Sequence, residues 1–321
     1  MMIKVKVVKF LMNVLPNKPK YQESLFVQEI FRHPKYISLT QSEKEEFFER
    51  ILKLNIIAEK EKPFDLFFPS HSFRKILEGK RVLDLGCSIG GHTISMGENW
   101  NVKEFIGIDA SQESIMVANH YISKHLTNVK FQFKHCYAEK MPFENDSFDA
   151  IVSHDAIEHV RSVKETLSEC KRILKKDGIA FLVFPSFKLP FGGAHIDSVT
   201  RMPFLEWFFS PNTINKAYQE IVSEWEEDLN WYKPAEETKG GWAVVKGGIG
   251  VNGTKYKDFL SIAREIGFSD ISFVKIPLLA VSNTAIKYPF IKFFSSFLKP
   301  LLTIDYFKDY LTQRFVFILK K

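Results

Sequence analysis

Apolar and polar residues follow one another along this chain in two rhythms. Within residues 20–79 the rhythm is helical: Phe47, Phe48, Ile51, Leu52, Leu54 and Ile56 recur near the helical period. Ser42 and Glu45 stand ahead of them at capping-box spacing, where a hydroxyl and a carboxylate satisfy each other's free backbone amides. Pro63 and Pro69 cut the region into short pieces. From Lys80 onward short apolar runs alternate with helical stretches. The runs are RVLDLG, EFIGID, VKFQFK, FDAIVS and IAFLVF, with helices predicted from Ser111 to about His125 and up to about Leu174. Gly178 falls where a helix-ending turn is wanted before the strand Ile179–Phe184. Strands alternating with helices predict an α/β fold with a parallel sheet built from βαβ units.

The alternation stops after Pro185. Residues 186–253 are rich in aromatics, glycine and proline, are too long for an idle loop, and are predicted to hold small helices such as 213–227. A helix from Thr254 to Ile266 and a strand from Ile271 to Ile276 resume the pattern. A second apolar, aromatic insertion covers 277–312, and Phe315–Leu319 reads as a closing strand. The expected organisation is an N-terminal helical cap (1–79) and one α/β domain (80–321) carrying both insertions.

The stretch Val82-Leu83-Asp84-Leu85-Gly86-Cys87-Ser88-Ile89-Gly90-Gly91 runs a buried strand into a glycine-bearing turn ahead of a helix. Glycines belong where a ligand lies against backbone and a Cβ would clash. The amide-rich helix N-terminus then faces that ligand. A dehydrogenase carries such a turn too, but the strict G-x-G-x-x-G spacing is absent. Asp84, at the strand end, disfavours a pyrophosphate and suits a positively charged ligand. Asp109 ends the second strand 23 residues after Gly86, where an acid can hold ribose hydroxyls.

These motifs resemble those of the class I S-adenosylmethionine-dependent methyltransferases, of the methyltransferase type 11 kind. DLGCSIGG matches their first motif, FIGIDAS the second, YAEKMPFENDSFDAIVSHDAIEHV the next two, and LKKDGIAFLVFPS their fifth-strand motif. The resemblance covers residues 80–185 closely and 254–276 loosely. It implies a doubly wound Rossmann-like sheet of seven strands with an antiparallel last strand, and S-adenosyl-L-methionine as cofactor. Asp84 would then face the amino group of the methionine part, partly through water. Gly86, Cys87 and Gly90 would give backbone contact, Asp109 would bind the ribose, and Ala138 and Glu139 would line the adenine. Ser153 and His154 would border the methionine and the sulfonium. Two positions depart from the family pattern. Ser88 replaces a common glycine and is tolerable at negative φ, and Tyr137 stands where an Asp often holds the adenine amino group.

Methyl transfer to a hydroxyl asks for in-line placement and proton removal. The acceptor-side imidazoles are His154, His159 and His195. His195 lies with Asp197 in GGAHIDS, a glycine-flanked loop suited to a base or to a histidine that fixes the insertion. Asp155, Glu158 and His159 share a helix face at i, i+3 and i+4. They read as a divalent-cation set, similar to that of ubiquinone-pathway O-methyltransferases, or as a capping box with Asp155 at N-cap and Glu158 at N3. Lys246–Gly253 lacks the Lys-Ser/Thr of a Walker loop, so Asn252 or Thr254 is expected to cap the next helix. Residues 288–310, with Phe290, Phe293, Phe294 and Phe297, read as an apolar lid packed on the first insertion or as an element that docks on anionic lipid.

Composition narrows the classes. At 321 residues, 45% hydrophobic and 26% charged, the chain is neither disordered nor collagen-like. Three widely spaced cysteines, Cys87, Cys136 and Cys170, form no CxxC pair and favour a reducing compartment. Residues 1–20 carry five lysines and no acid, and residues 286–321 a net charge of +5; against a total of +6 this leaves the middle at −4. Basic ends on an acidic body, with nine Arg among 44 basic residues, argue against a nucleic-acid groove. Lys275, Lys287, Lys292 and Lys299 interrupt the apolar stretches, so none reaches about 18 residues. Lys9 breaks the N-terminal apolar run and no small-residue cleavage site follows, which argues against a signal peptide. The expectation is a small-molecule methyltransferase in the cytoplasm, or peripheral to the inner face of a membrane through its basic aromatic termini. Its acceptor is expected to be a sugar, glycan or lipid-linked hydroxyl. The alternatives are a non-catalytic cofactor-binding protein and a membrane-peripheral interaction protein. Oligomeric state is left open.

Overall fold

The computed structural model describes residues 2–16, 38–61, 63–68, 73–189, 196, 199–224, 251–280, 293 and 295–321. Near-continuous apolar runs become strands buried on both faces. They are β1 (Arg81–Leu85), β2 (Glu104–Asp109), β3 (Lys130–His135), β4 (Phe148–His154), β5 (Leu174–Pro185), β6 (Asp270–Val274) and β7 (Arg314–Lys320). All join one sheet in the order β3-β2-β1-β4-β5-β7-β6. β1 pairs in parallel with β2 and β4, β2 with β3, and β4 with β5, whereas β6 and β7 are antiparallel. This is the doubly wound, Rossmann-like sheet of seven strands with an antiparallel last strand that was expected above. The described α-helices are α1 (Met2–Val14), α2 (Gln41–Glu61), α3 (Phe73–Leu77), α4 (Gly91–Trp100), α5 (Gln112–Lys124), α6 (Val163–Ile173), α7 (Leu205–Phe208), α8 (Pro211–Ser223), α9 (Tyr256–Ile266) and α10 (Asp305–Leu311).

Several local expectations are corrected. The capping box of α2 lies two residues earlier than Ser42 and Glu45. The Thr40 amide and hydroxyl both donate to Glu43 Oε2, and the Glu43 amide points back to Thr40 Oγ1. Gly178 ends no helix: α6 stops at Ile173, and the pairing of β4 with β5 jumps from Phe148–Leu174 to Ala150–Ile179. The intervening residues bulge from the strand, with Asp177 at φ +63°. α9 begins two residues after Thr254, though Asn252 Oδ1 does accept from the Thr254 amide and hydroxyl.

The chain divides into two compact units that cross the linear boundaries expected above. One comprises the described residues of Ser38–Phe184, Lys257–Ile276 and Arg314–Lys321, and holds the sheet. Here α2 packs on α5 through Phe48 and His120, whose rings meet edge-on at 5.8 Å, and the Glu45 carboxylate accepts from Lys124. The other comprises the described residues of Met1–Ile37, Pro185–Tyr256 and Pro277–Gln313. Its core gathers Val5, Val8 and Met12 of α1 with Leu205, Ile214, Ala217 and Tyr218. Thr200 Oγ1 donates to the Met12 and Leu15 carbonyls, and Asp309 accepts from the Tyr256 amide. Among the described residues no helix is long and apolar enough to cross a membrane.

Phe317 of β7 is fully buried between Phe259 at 4.3 Å and Phe273 at 5.2 Å. Phe317→Ala is expected to destabilise the sheet unit by about 3–5 kcal/mol in urea denaturation. A loss under about 1 kcal/mol would contradict this packing.

Candidate functional site

The turn after β1 is shaped by what its backbone must avoid. Gly86 sits at φ +83°, and a Cβ there would lie 2.2 Å from that of Ala156 in the loop after β4. The Gly86 and Cys87 amides both donate to Ile108 O at 2.9 Å, which draws the turn over the end of β2. Gly90, also at φ +83°, leads into α4; a Cβ there would strike Phe133 and Ala118. Ser88 corrects an expectation, since its φ is +49° rather than negative. A left-handed non-glycine residue costs about 1–2 kcal/mol. Its amide offsets that cost by donating to Asp109 Oδ2 at 2.9 Å. Asp109 Oδ1 accepts from the Ser111 amide at 2.8 Å, so the acid ending β2 and the turn after β1 form one assembly. Burial raises the Asp109 carboxyl, while the Ser111 and Ser88 amides pull it down.

Asp84 lies beneath the turn. Burial pushes its carboxyl up to about 7, against the hydrogen bond from Thr93 Oγ1 at 2.6 Å and the nearby His92. Glu59 and Asp109 add negative charge and raise it further. Three carboxylates therefore act on the space beside bare backbone. That arrangement suits a ligand with cationic groups and hydroxyls, and opposes a pyrophosphate. Cys87 is buried, and burial beside Asp109 and Asp84 holds its thiol well above the usual range, which makes it inert.

Two groups that no sequence motif singled out, Glu59 and His92, meet beside this assembly. Asn55 and Glu59, one turn apart on α2, both reach the start of α4. Asn55 Oδ1 accepts from the His92 amide at 3.1 Å, and buried Glu59 lies 2.8 Å from His92 Nδ1. Glu59 also accepts from the Phe64 amide at 2.7 Å, which fixes its carboxylate. The His154 ring lies 6.3 Å from that of His92, edge-on to Phe64 and Phe67. Burial lowers His154 below the ordinary histidine value, which favours the neutral imidazole.

Other expected residues fall differently. Ser153 is fully buried and donates its hydroxyl to Leu85 O at 2.9 Å, so that hydroxyl ties β4 to β1 and borders no ligand. Glu139 accepts from the Arg161 and Ser162 amides, and Arg161 lies 4.6 Å over the Tyr137 ring. Ala138 is half-buried between Tyr137 and Glu139. Asp155, Glu158 and His159 share no α-helix: Ile157–His159 is a single 3₁₀ turn without a side-chain cap, and α6 starts later, capped by Ser162. Asp155, at φ +53°, pairs with Arg314 at 3.1 Å, and His159 lies 3.7 Å from Glu158 while its charge lowers the Asp109 carboxyl. No group of three or more such residues among the described ones is placed to hold a metal. His195 and Asp197 lie outside the described residues, as do Phe290 and Phe294. A hollow of about 470 Å³ lined by Lys164, Lys171, Arg172 and Lys321 is separate from this site, and those cations are bound to carbonyls or carboxylates.

Comparison with known proteins agrees with the geometry. Residues 83–182 match the family described as "Methyltransferase domain". Over 104 residues the chain is 40% identical to the "Uncharacterized methyltransferase YcgJ" of Bacillus subtilis, covering 32% of this chain and 40% of that one. Over 115 residues it is 31% identical to the mitochondrial ubiquinone biosynthesis O-methyltransferase of Rattus norvegicus, covering 35% and 33%. The chain thus spans well under half the length of these relatives. A solved structure, a putative S-adenosylmethionine dependent methyltransferase from Listeria monocytogenes, aligns with a TM-score of 0.45 at 17% identity over 78% of this chain and 95% of that one.

The Asp84 carboxyl, raised from 3.8 to about 7, binds its proton more tightly in the folded state than in the unfolded one. Its contribution to stability is therefore lost as pH rises through about 7 and regained as pH falls toward 4. In urea denaturation between these limits Asp84→Asn is expected to remove on the order of 2–4 kcal/mol of pH dependence. Identical pH profiles for the variant and the parent would refute this assignment.

Proposed function

We propose that this chain, which carries a class I methyltransferase domain over residues 83–182, transfers the methyl group of S-adenosylmethionine to a hydroxyl of a small-molecule acceptor. The observation that supports this most is the hydrogen bond from the Ser88 amide to Asp109 Oδ2, 2.9 Å long, which sets a carboxylate against a turn of bare backbone. Two amides occupy part of that carboxylate, and its remaining lone pairs are available to ribose hydroxyls. Asp84 and Glu59 supply the negative field that an ammonium and a sulfonium need. Gly86 and Gly90 admit Ala156, Phe133 and Ala118 against the turn, and so let it close beside Asp109.

When bound, the cofactor supplies a methyl group already activated on sulfur. The protein is then left to align the acceptor and take its proton. Glu59, 2.8 Å from His92 Nδ1, fixes the tautomer that carries hydrogen on Nδ1. Nε2 of His92 is thereby the atom that accepts the proton, and Glu59 stabilises the imidazolium that forms. His154, kept neutral by burial, flanks it without adding a competing positive charge. A sugar or lipid-linked hydroxyl is the acceptor favoured by the SFKLPFGGAHIDS stretch, similar to that of methyltransferases of surface-polysaccharide pathways.

Asp109→Ala is expected to weaken S-adenosylmethionine binding by about 1–3 kcal/mol in calorimetry. Unchanged affinity would overturn the cofactor assignment. Affinity should also rise as pH passes upward through about 7, because the cation favours ionised Asp84, and this slope should vanish in Asp84→Asn. With an acceptor found by screening for S-adenosylhomocysteine release, His92→Ala should cut turnover by about 100-fold or more and leave cofactor affinity intact. Full turnover in that variant would remove His92 as the base.

A further inference from the structure

α1 is apolar on two opposite faces, and only one of them is buried. Val5, Val8 and Met12 enter the core of the unit that contains α1, with Ile214 and Tyr218. On the other side Ile3 is 79% exposed, Val7 43%, Phe10 69% and Val14 50%. At about 100° per residue these four fall within roughly 60° of one another, centred about 160° from the buried face. A surface helix of a globular unit ordinarily turns polar residues to solvent there. Lys4 and Lys6, both exposed, flank the stripe on its two sides, and Lys9 is drawn away to Glu220 and Glu224 of the α8 region. Residues 1–20 contain no acid.

We propose that this face of α1 docks on an anionic lipid surface, with the helix in the plane of the interface. Ile3, Val7, Phe10 and Val14 would enter the acyl boundary, and Lys4 and Lys6 would meet lipid phosphates. Charge selects lipid over a second copy of this chain. A parallel isologous pairing along the stripe sets lysines beside lysines, and an antiparallel one offers them no acid on the facing helix. It also buries on the order of 400 Å² a side, about half of what a stable dimer uses. The same unit exposes Phe293, Phe297, Leu301 and Ile304 beside Lys299. The described part of the 288–310 segment therefore turns these side chains to solvent rather than against the first insertion. The docking proposal stands apart from methyl transfer and needs no acceptor.

Co-sedimentation of the full chain with vesicles tests it. Binding is expected to phosphatidylcholine vesicles containing phosphatidylglycerol, with much weaker binding to phosphatidylcholine alone and loss at high salt. The double variant Ile3→Glu/Phe10→Glu alters exposed positions only and should lower partitioning by about tenfold or more, with melting temperature and S-adenosylmethionine affinity unchanged. Lys4→Gln and Lys6→Gln should each lower it by about fivefold. Failure of the parent chain to bind the anionic vesicles, or equal binding by Ile3→Glu/Phe10→Glu, would overturn the proposal. So would a dimer in sedimentation velocity that Phe10→Glu dissolves, which would give the stripe to a second copy.

Discussion

A carboxylate at the end of one strand holds the turn at the end of its neighbour, and the rest of the site is arranged around that contact. Asp109 bonds the amides of Ser88 and Ser111 with its two oxygens, so it fixes both the turn after β1 and the start of α5. The bond to Ser88 needs a backbone folded back on itself, and three residues of the turn take left-handed φ to achieve it. Gly86 and Gly90 do so without strain. Ser88 does not, and the charge-assisted hydrogen bond holds it there. Parallel pairing of β1 with β2 puts the two strand ends level and makes this geometry available without loop rearrangement.

Beneath the turn, the fold tolerates an acid in a place that penalises its charge. Asp84 has the Thr93 hydroxyl as its hydrogen-bond donor, and Glu59 and Asp109 both oppose its ionisation. An electrostatic cost of this kind is borne by the empty site and relieved by a cation, so part of the binding free energy is stored before the ligand arrives.

The sheet was legible because buried parallel strands write themselves as short apolar runs, and all seven were found within a few residues. The turn and Asp109 were legible because glycines and an acid at strand ends are local signals. What escaped depends on contacts between distant segments. Glu59 and His92 are 33 positions apart and lie 2.8 Å from each other only because α2 crosses α4. Thr40 and Ser42 each precede a glutamate by three residues, so spacing alone could not choose the capping box. Asp155 looked like an N-cap, but a left-handed backbone and the Arg314 partner give it another task. Ser153 looked like pocket lining, yet its hydroxyl is buried and bonded to Leu85 O of the neighbouring strand.

Charge acts locally in this chain, since the sheet unit is close to neutral in sum and its site is set by a cluster of acids. In the sheet unit Asp109 and Glu59 lie close enough to Asp84 to raise its proton affinity. The unit containing α1 begins with lysines and no acid, and shows solvent a stripe of apolar side chains. Both features act at short range, because exposed charges are screened beyond about 8–10 Å, so what matters at each surface is the local cluster of side chains rather than the net charge of the unit that carries it.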